Sequence, residues 1–283
     1  MPHWQTSRYR IDLARPKVMG IVNITPDSFF DGGQHATTRL ALAHCEALMK
    51  EGADILDLGA ESTRPGARPL SQDDELARLL PVLREAVTLG VPISVDSYKP
   101  GVMQAALDLG ADIINDIWAL RWVDHAGAGL AFQTVAQHPT CGVCLMHMHG
   151  DPQTMQVSPM VGDIVDPVRD FLSQSANALM ALGVDKERIC LDTGIGFGKT
   201  VEQNFSLLAH QATLLELGFA LLAGWSRKSS LGVVTGASAD DRVVASAVAA
   251  ALAAQNGAHV LRVHDVRATV QALSVLQATQ AAY

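Results

Sequence analysis

Aromatic residues are scarce in this chain, 5% of 283 residues, and no apolar run approaches the roughly 20 residues that a membrane-spanning helix requires. The first ten residues are polar, without an apolar core of signal-peptide length, so a cytoplasmic protein is expected. Positive charge is also short. Lys and Arg number 21 against 29 Asp and Glu, a net charge of −8, which argues against a nucleic-acid or anionic-membrane surface and requires a local basic pocket for any anionic substrate. No Pro/Ser-rich or charged linker interrupts the chain, so residues 1–283 read as one domain. Only four cysteines occur, Cys45, Cys141, Cys144 and Cys190. Cys141 and Cys144 have knuckle spacing, but they straddle a buried strand on which positions three apart face opposite ways, and no second knuckle offers further zinc ligands. They read as core thiols.

What is present is Ala, Val, Leu and Ile. Apolar residues make up 48% of the chain, the composition of a parallel α/β interior. Short apolar runs at 18–23, 55–58, 92–95, 113–115, 143–147, 189–192, 220–223 and 260–263 read as strands. Helical patterns lie between them, among them 37–51, 71–89 with Ser71 as N-cap and acids in its first turn, 164–182 and 239–256. Eight such units imply a (β/α)₈ TIM barrel, and the doubly wound alternative lacks its Gly-x-Gly-x-x-Gly after the first strand. Residues 4–13, ahead of the first barrel strand, are expected to form a hairpin across the barrel's N-terminal end. The stretch 245–254 is almost entirely small and apolar, so a fully solvated face is not expected there and a homodimer is.

The strands end in Asn23, Asp57, Asp96, Asn115, His147, Asp192, the Ser226-Arg-Lys228 cluster, and Arg262 with His264. Any one of these is an ordinary cap or turn former, but eight polar endings converging on one barrel mouth describe a site. Asp96 and Asp192 accept paired hydrogen bonds, Asn115 donates and accepts, and Lys228 donates to a carbonyl or ring nitrogen, a set that suits the amino-pyrimidinone edge of a pterin or guanine. Arg262 and His264, two apart on extended chain, share a side and can clamp an anion, with Asn23 completing it through hydrated Mg²⁺. The Gly/Pro-rich loops 25–33 and 61–66 read as lids, with Phe29 the apolar exception. The segment 193–200 misses the P-loop spacing by one residue and reads instead as a glycine-rich loop against a flat ligand, with Phe197 as its wall. His147 and His149 read as structural rather than as a metal pair, because no further ligand lies nearby in sequence.

Ile21-Val-Asn-Ile-Thr-Pro-Asp-Ser-Phe29 with Asp31-Gly-Gly33, and Gly59-Ala-Glu-Ser-Thr-Arg-Pro-Gly66, strongly resemble the two signature loops of dihydropteroate synthases. The resemblance continues through Ser94-Val-Asp-Ser97, Ile114-Asn-Asp116, Leu145-Met-His-Met148, Gly196-Phe-Gly-Lys199, Ser226-Arg-Lys228 and Arg262-Val-His264, nearly the whole chain. It implies pterin binding by Asp96, Asn115, Asp192, Lys228 and Arg262, and diphosphate binding by Asn23, Thr63, Arg262 and His264. It also implies p-aminobenzoate binding by Thr63, Arg64, Pro65, Phe197, Ser229 and Phe29, with Mg²⁺ beside Asn23. Asp31, Arg262, His264 and Lys228 take the catalytic roles. The implied reaction, in folate biosynthesis, condenses (7,8-dihydropterin-6-yl)methyl diphosphate with p-aminobenzoate to give 7,8-dihydropteroate and diphosphate, with sulfonamides as competitors of the aniline. Two departures are visible: Thr193 stands where many members have Pro, and 118–129 differs from the Ser-Gly-Gly that often follows the fourth strand. The rival readings are a pterin-binding methyltransferase-type domain, which would lack the Arg262/His264 clamp, and a non-catalytic pterin-binding protein, which would have no reason to keep both loops.

Overall fold

The computed structural model describes residues 2–24, 33–62, 66–123 and 130–282, with the backbone alone for 33–36. Two short strands, β1 (His3–Gln5) and β2 (Arg10–Asp12), pair antiparallel with Trp4 opposite Ile11. Eight parallel strands then close a barrel: β3 (Lys17–Asn23), β4 (Ile55–Gly59), β5 (Ile93–Asp96), β6 (Ile113–Asp116), β7 (Gly142–Met146), β8 (Ile189–Asp192), β9 (Ala220–Ala223) and β10 (Val260–Val263), which returns to β3. Each strand lies within a residue of its reading from sequence, because short β-branched runs bounded by Gly and Pro have no helical alternative of adequate length. The structure is the expected (β/α)₈ barrel.

Helices α1 (Gly33–Glu51), α2 (Gln72–Ala86), α3 (Pro100–Asp108), α4 (Leu130–Gln137), α5 (Val165–Met180), α6 (Val201–Ala209), α7 (Ala212–Leu215), α8 (Ser229–Thr235), α9 (Val243–Gln255) and α10 (Val266–Ala281) connect the strands. Ser71 caps α2 by accepting from the Asp74 amide at 3.1 Å, as the pattern of the sequence requires. The helix expected from residue 239 begins instead at Val243. Asp241 N–H closes a turn onto the Ser238 carbonyl at 3.2 Å, and Ser238 Oγ donates to the Asp241 carboxylate at 2.7 Å, so polar side chains claim the backbone before a helix can form.

Side-chain alternation divides the apolar residues into layers. Outward-facing Val18, Val22, Leu56, Leu58, Val95, Ile114, Leu145, Leu191 and Leu261 pack beneath the helices. Inward-facing Met19, Ile55, Ile113, Cys144, Cys190, Leu222 and Val260 form a plug near the N-terminal end, sealed by Trp4, Ile11 and Leu13 of the hairpin segment. Trp4 is fully buried and its indole donates to the Arg188 carbonyl at 3.0 Å. Asp112 at the foot of β6 locks the same segment, accepting from Arg8 Nη2 at 2.6 Å, Arg8 Nε at 2.9 Å and the Ile93 amide at 2.9 Å. With this end of the barrel interior plugged, the polar strand ends lie at the opposite, C-terminal mouth. Among the described residues no helix is long and apolar enough to cross a membrane.

Candidate active site

Inward positions at the ends of the barrel strands carry the polar side chains singled out by sequence. Asp57, two residues beyond the plug residue Ile55, shares its inward face, as do Asp192 beyond Cys190 and Arg262 beyond Val260. Arg262 Nε donates to Asp57 Oδ2 and its Nη2 to Asp96 Oδ2, both at 2.6 Å, and Asn115 donates to Asp57 Oδ2 at 3.3 Å. Asp57, Asp96, Asn115 and Arg262 are therefore one network. Burial alone would pull the Arg262 guanidinium down, but Asp57 and Asp96 outweigh it and hold its pKa above the ordinary value. Asp96 is raised to about 7, chiefly by burial, with Arg262 opposing and Asp57 reinforcing the shift. Asp57 Oδ1 is buried with no partner, an acceptor left over for a ligand or water. The sequence marked Asp57 as a polar strand end but gave it no role, since its partner Arg262 lies 205 residues away.

On the opposite side of the mouth Asp192 accepts from the Gly194 amide at 2.7 Å. Burial raises its pKa, against the pull of that amide, Lys228, Lys199 and Arg262. Lys228 places Nζ 4.2 Å from the centroid of the Phe197 ring. Burial lowers the Lys228 pKa to about 8 despite Asp192, so the amine remains largely protonated at neutral pH. Tyr98, Ile117, Met146, Met148 and Met155 join Phe197 in an apolar cluster of their own. His264 follows β10 with its amide donating to Ser226 Oγ at 3.1 Å and Nδ1 3.0 Å from the same oxygen. Asn23 ends β3 beside Gly59. Ser229 opens α8 next to Lys228 and is exposed. Phe29, Asp31, Thr63, Arg64 and Pro65 lie outside the described residues, as do 25–32 of the first expected lid and 63–65 of the second.

Two expectations need correction. His147 does not join the mouth: Met146 faces inward, so the next side chain turns outward, and the His147 ring packs edge-on against Phe171 of α5 at 4.9 Å. Its companion His149 is exposed, so the two imidazoles do not converge. The glycine-rich loop does allow a close approach, but the partner is protein backbone rather than a flat ligand. Gly194 at φ +67° and Gly198 at φ +70° would each drive a side chain into the carbonyls of His147 and His149. Only Gly196 borders the site, against the Lys228 stem. The two P-loop-like side chains are likewise structural. Lys199 donates to the carbonyls of Gly194, Phe197 and His147 at 2.9, 3.0 and 3.3 Å, and Thr200 caps α6 through a reciprocal pair with Gln203. The acids expected in the first turn of α2 are there, and one of them, Glu75, is buried and accepts from Lys99 at 2.5 Å. Lys99 also donates to Glu61, which Tyr98 OH binds at 2.8 Å, so the start of the second signature motif is pinned to β5 and α2.

Comparison with known proteins decides what such a mouth belongs to. Residues 19–264 match the family described as pterin binding enzyme. A dihydropteroate synthase from Neisseria meningitidis serogroup B is 48% identical over 281 residues, covering 97% of this chain and 96% of the relative. The chain belongs to the dihydropteroate synthases of the pterin-binding family. It is thus a transferase of folate biosynthesis. The Xanthomonas albilineans dihydropteroate synthase with 4-aminobenzoic acid superposes with a TM-score of 0.91 at 48% identity, covering 99% of this chain and 98% of that one. The Burkholderia cenocepacia dihydropteroate synthase complexed with 7,8-dihydropteroate gives 0.88 at 46%, covering 99% and 97%. Cys141 and Cys144 face opposite sides of β7 in this synthase, one beside Arg188 and one against Cys190 inside the barrel, and both are buried free thiols.

Proposed function

We propose that the barrel mouth binds (7,8-dihydropterin-6-yl)methyl diphosphate and p-aminobenzoate and joins them, the observation that carries this being the ring of Asp96, Asn115, Asp192 and Lys228 crossed by Arg262. Asp96, Asn115 and Asp192 supply acceptors and a donor to the amino-pyrimidinone edge, and the Lys228 ammonium donates to its carbonyl or ring nitrogen. Arg262 and His264 hold the diphosphate. Asn23 offers one hard amide oxygen, which fits a Mg²⁺ that keeps several waters and takes its other ligands from diphosphate; among the described residues no group of three His, Cys, Asp or Glu forms a cage. Mg²⁺ bound there would neutralise charge on the leaving group.

In the reaction the C–O bond between the methylene and diphosphate breaks with its electron pair leaving on oxygen. The aniline lone pair forms the new C–N bond and the surplus proton passes to solvent. Positive charge on the conjugated methylene is stabilised by the carboxylates about the pterin, to which Asp31 adds, while Arg262 and His264 meet the growing negative charge on the departing oxygens. A strong general base is unnecessary, because aniline nitrogen is neutral at pH 7. Phe197, Ser229 and residues Phe29, Thr63, Arg64 and Pro65 serve the p-aminobenzoate side. Residues 1–283 act as one barrel domain in the cytoplasm. A second copy of the chain covers α9, where Val244, Val248 and Leu252 form an exposed apolar stripe at helical spacing beside exposed Val233 and Val234 of α8.

The test is product detection after mixing the protein with the pterin diphosphate, p-aminobenzoate and Mg²⁺. Formation of dihydropteroate that fails when either organic substrate is omitted supports the assignment, and no product from folded protein refutes it.

A further inference from the structure

Ser226, Arg227 and Lys228 follow β9 in a single turn whose central residue has a conformation that side chains avoid. Arg227 sits at φ +58°, in the left-handed region where Cβ crowds the backbone, and neither Gly nor Asn eases it. The conformation is held from outside. Its amide donates to Ser246 Oγ at 2.9 Å and its carbonyl accepts from Arg242 Nη1 at 3.0 Å, so Ser246 of α9 and Arg242 at its N-cap grip the two peptide units that flank one residue. Its guanidinium is clasped by Asp265, Nη2 to Oδ1 at 2.7 Å and Nε to Oδ2 at 3.0 Å. Asp265 immediately follows His264, and Ser226, on the other side of Arg227, is the residue bonded to His264. The turns after β9 and β10 are therefore stapled twice, with Lys228 leaving one and His264 the other.

We propose that Arg227 is a positioning residue for the condensation: its clasp with Asp265 fixes the left-handed turn that aims Lys228 and the Ser226–His264 pair into the mouth. The proposal rests on the assignment of Lys228 and His264 to the substrates given above. A lysine ammonium on a flexible four-carbon stem is only as well placed as the backbone from which it starts, and displacement of a reacting group by about 1 Å costs on the order of 100-fold in rate. His264 gains likewise, since the Ser226 hydroxyl at Nδ1 fixes its ring. Arg227 and Asp265 are both partly solvent-exposed, the setting in which an ion pair adds little to stability, so loss of the clasp separates activity from folding.

The experiment uses Arg227→Gly, which keeps the turn accessible but removes the clasp, and Asp265→Asn, which keeps the shape but removes the charge. Steady-state kinetics with both substrates and the thermal unfolding midpoint are measured for each variant and for the pair. Expected are a fall in kcat of roughly tenfold or more in each single variant, KM for p-aminobenzoate little changed, an unfolding midpoint close to the parent, and a double variant no slower than either single. Parental kcat in Asp265→Asn, or multiplicative losses in the double variant, overturns the proposal. Lys228→Met and His264→Ala run in parallel. If these are inactive while Arg227→Gly and Asp265→Asn turn over normally, the positioning role alone falls; if these keep full activity, the assignment of the site falls and the proposal with it.

Discussion

Arg262 on β10 reaches Asp96 on β5 across the barrel mouth, Nη2 to Oδ2 at 2.6 Å, while its Nε holds Asp57 of β4 at the same distance. One cation thus answers two buried carboxylates, which leaves a surplus of negative charge that raises Asp96 to about 7, behind the effect of burial. The pieces of the site are coupled for the same reason: whichever member is removed leaves the others exposed to an uncompensated field.

Asp57→Ala should therefore destabilise the protein by about 3–5 kcal/mol, the range for breaking a buried ion pair by deleting one partner. The Asp57 carboxyl is fully buried and Asn115 loses an acceptor as well. Urea unfolding of variant and parent measures it, and a difference below about 1 kcal/mol would show that the pair is solvated in solution.

Asp192→Ala should leave the fold intact and weaken pterin binding by roughly 10- to 100-fold, the equivalent of the about 1.5–3 kcal/mol lost with a charged hydrogen-bond acceptor. Calorimetric titration with the pterin, together with far-UV circular dichroism, decides the matter. Unchanged affinity in a folded variant would remove Asp192 from the pterin site.

Arg262→Ala and His264→Ala should weaken the pterin diphosphate far more than the corresponding pterin alcohol, which lacks the anion. Side-by-side titrations of the two ligands check this. Equal losses would mean that neither side chain clamps the diphosphate.

Stability should fall in mild acid through His147. Burial, assisted by Lys199, Arg121 and His149, lowers its pKa from 6.5 to about 3. Between these values the unfolded chain binds a proton that the folded chain does not, so the stabilisation is complete above the unfolded pKa and is lost as pH falls towards the folded one. From pH 6.5 to pH 5 the parent should lose about 1.6 kcal/mol more than His147→Phe, which keeps a ring against Phe171 and cannot charge. Parallel pH profiles for the two proteins would contradict the assignment.

The barrel was legible because the strands are short apolar runs with polar residues at or just beyond their ends, and both features follow from one architecture: apolar flanks under helices and a polar mouth. His147 was misplaced because position along a strand was weighed and parity was not; counting in twos from Cys144 through Met146 turns the imidazole outward. The hairpin could be placed because Trp4 and Ile11 flank a polar turn ahead of the first strand. The clasp of Arg227 by Asp265 was not readable, since left-handed backbone at an arginine has no sequence signal of its own and its partner is 38 residues on. Glu75 was read as a helix-terminal acid because Lys99, the cation that takes it into the interior, lies 24 residues later.

Trp4 is separated from the Arg188 carbonyl that receives its indole by 184 residues. At synthesis rates of about 5–20 residues per second, the stopper of the barrel emerges roughly 10–40 seconds before its socket exists. For that interval a large apolar ring has no place to go, and the unfinished chain presents it to whatever is near. Sealing the vessel from the beginning of the chain therefore makes closure a late event in biogenesis, and gives the nascent chain a long period in which a holding chaperone has something to hold.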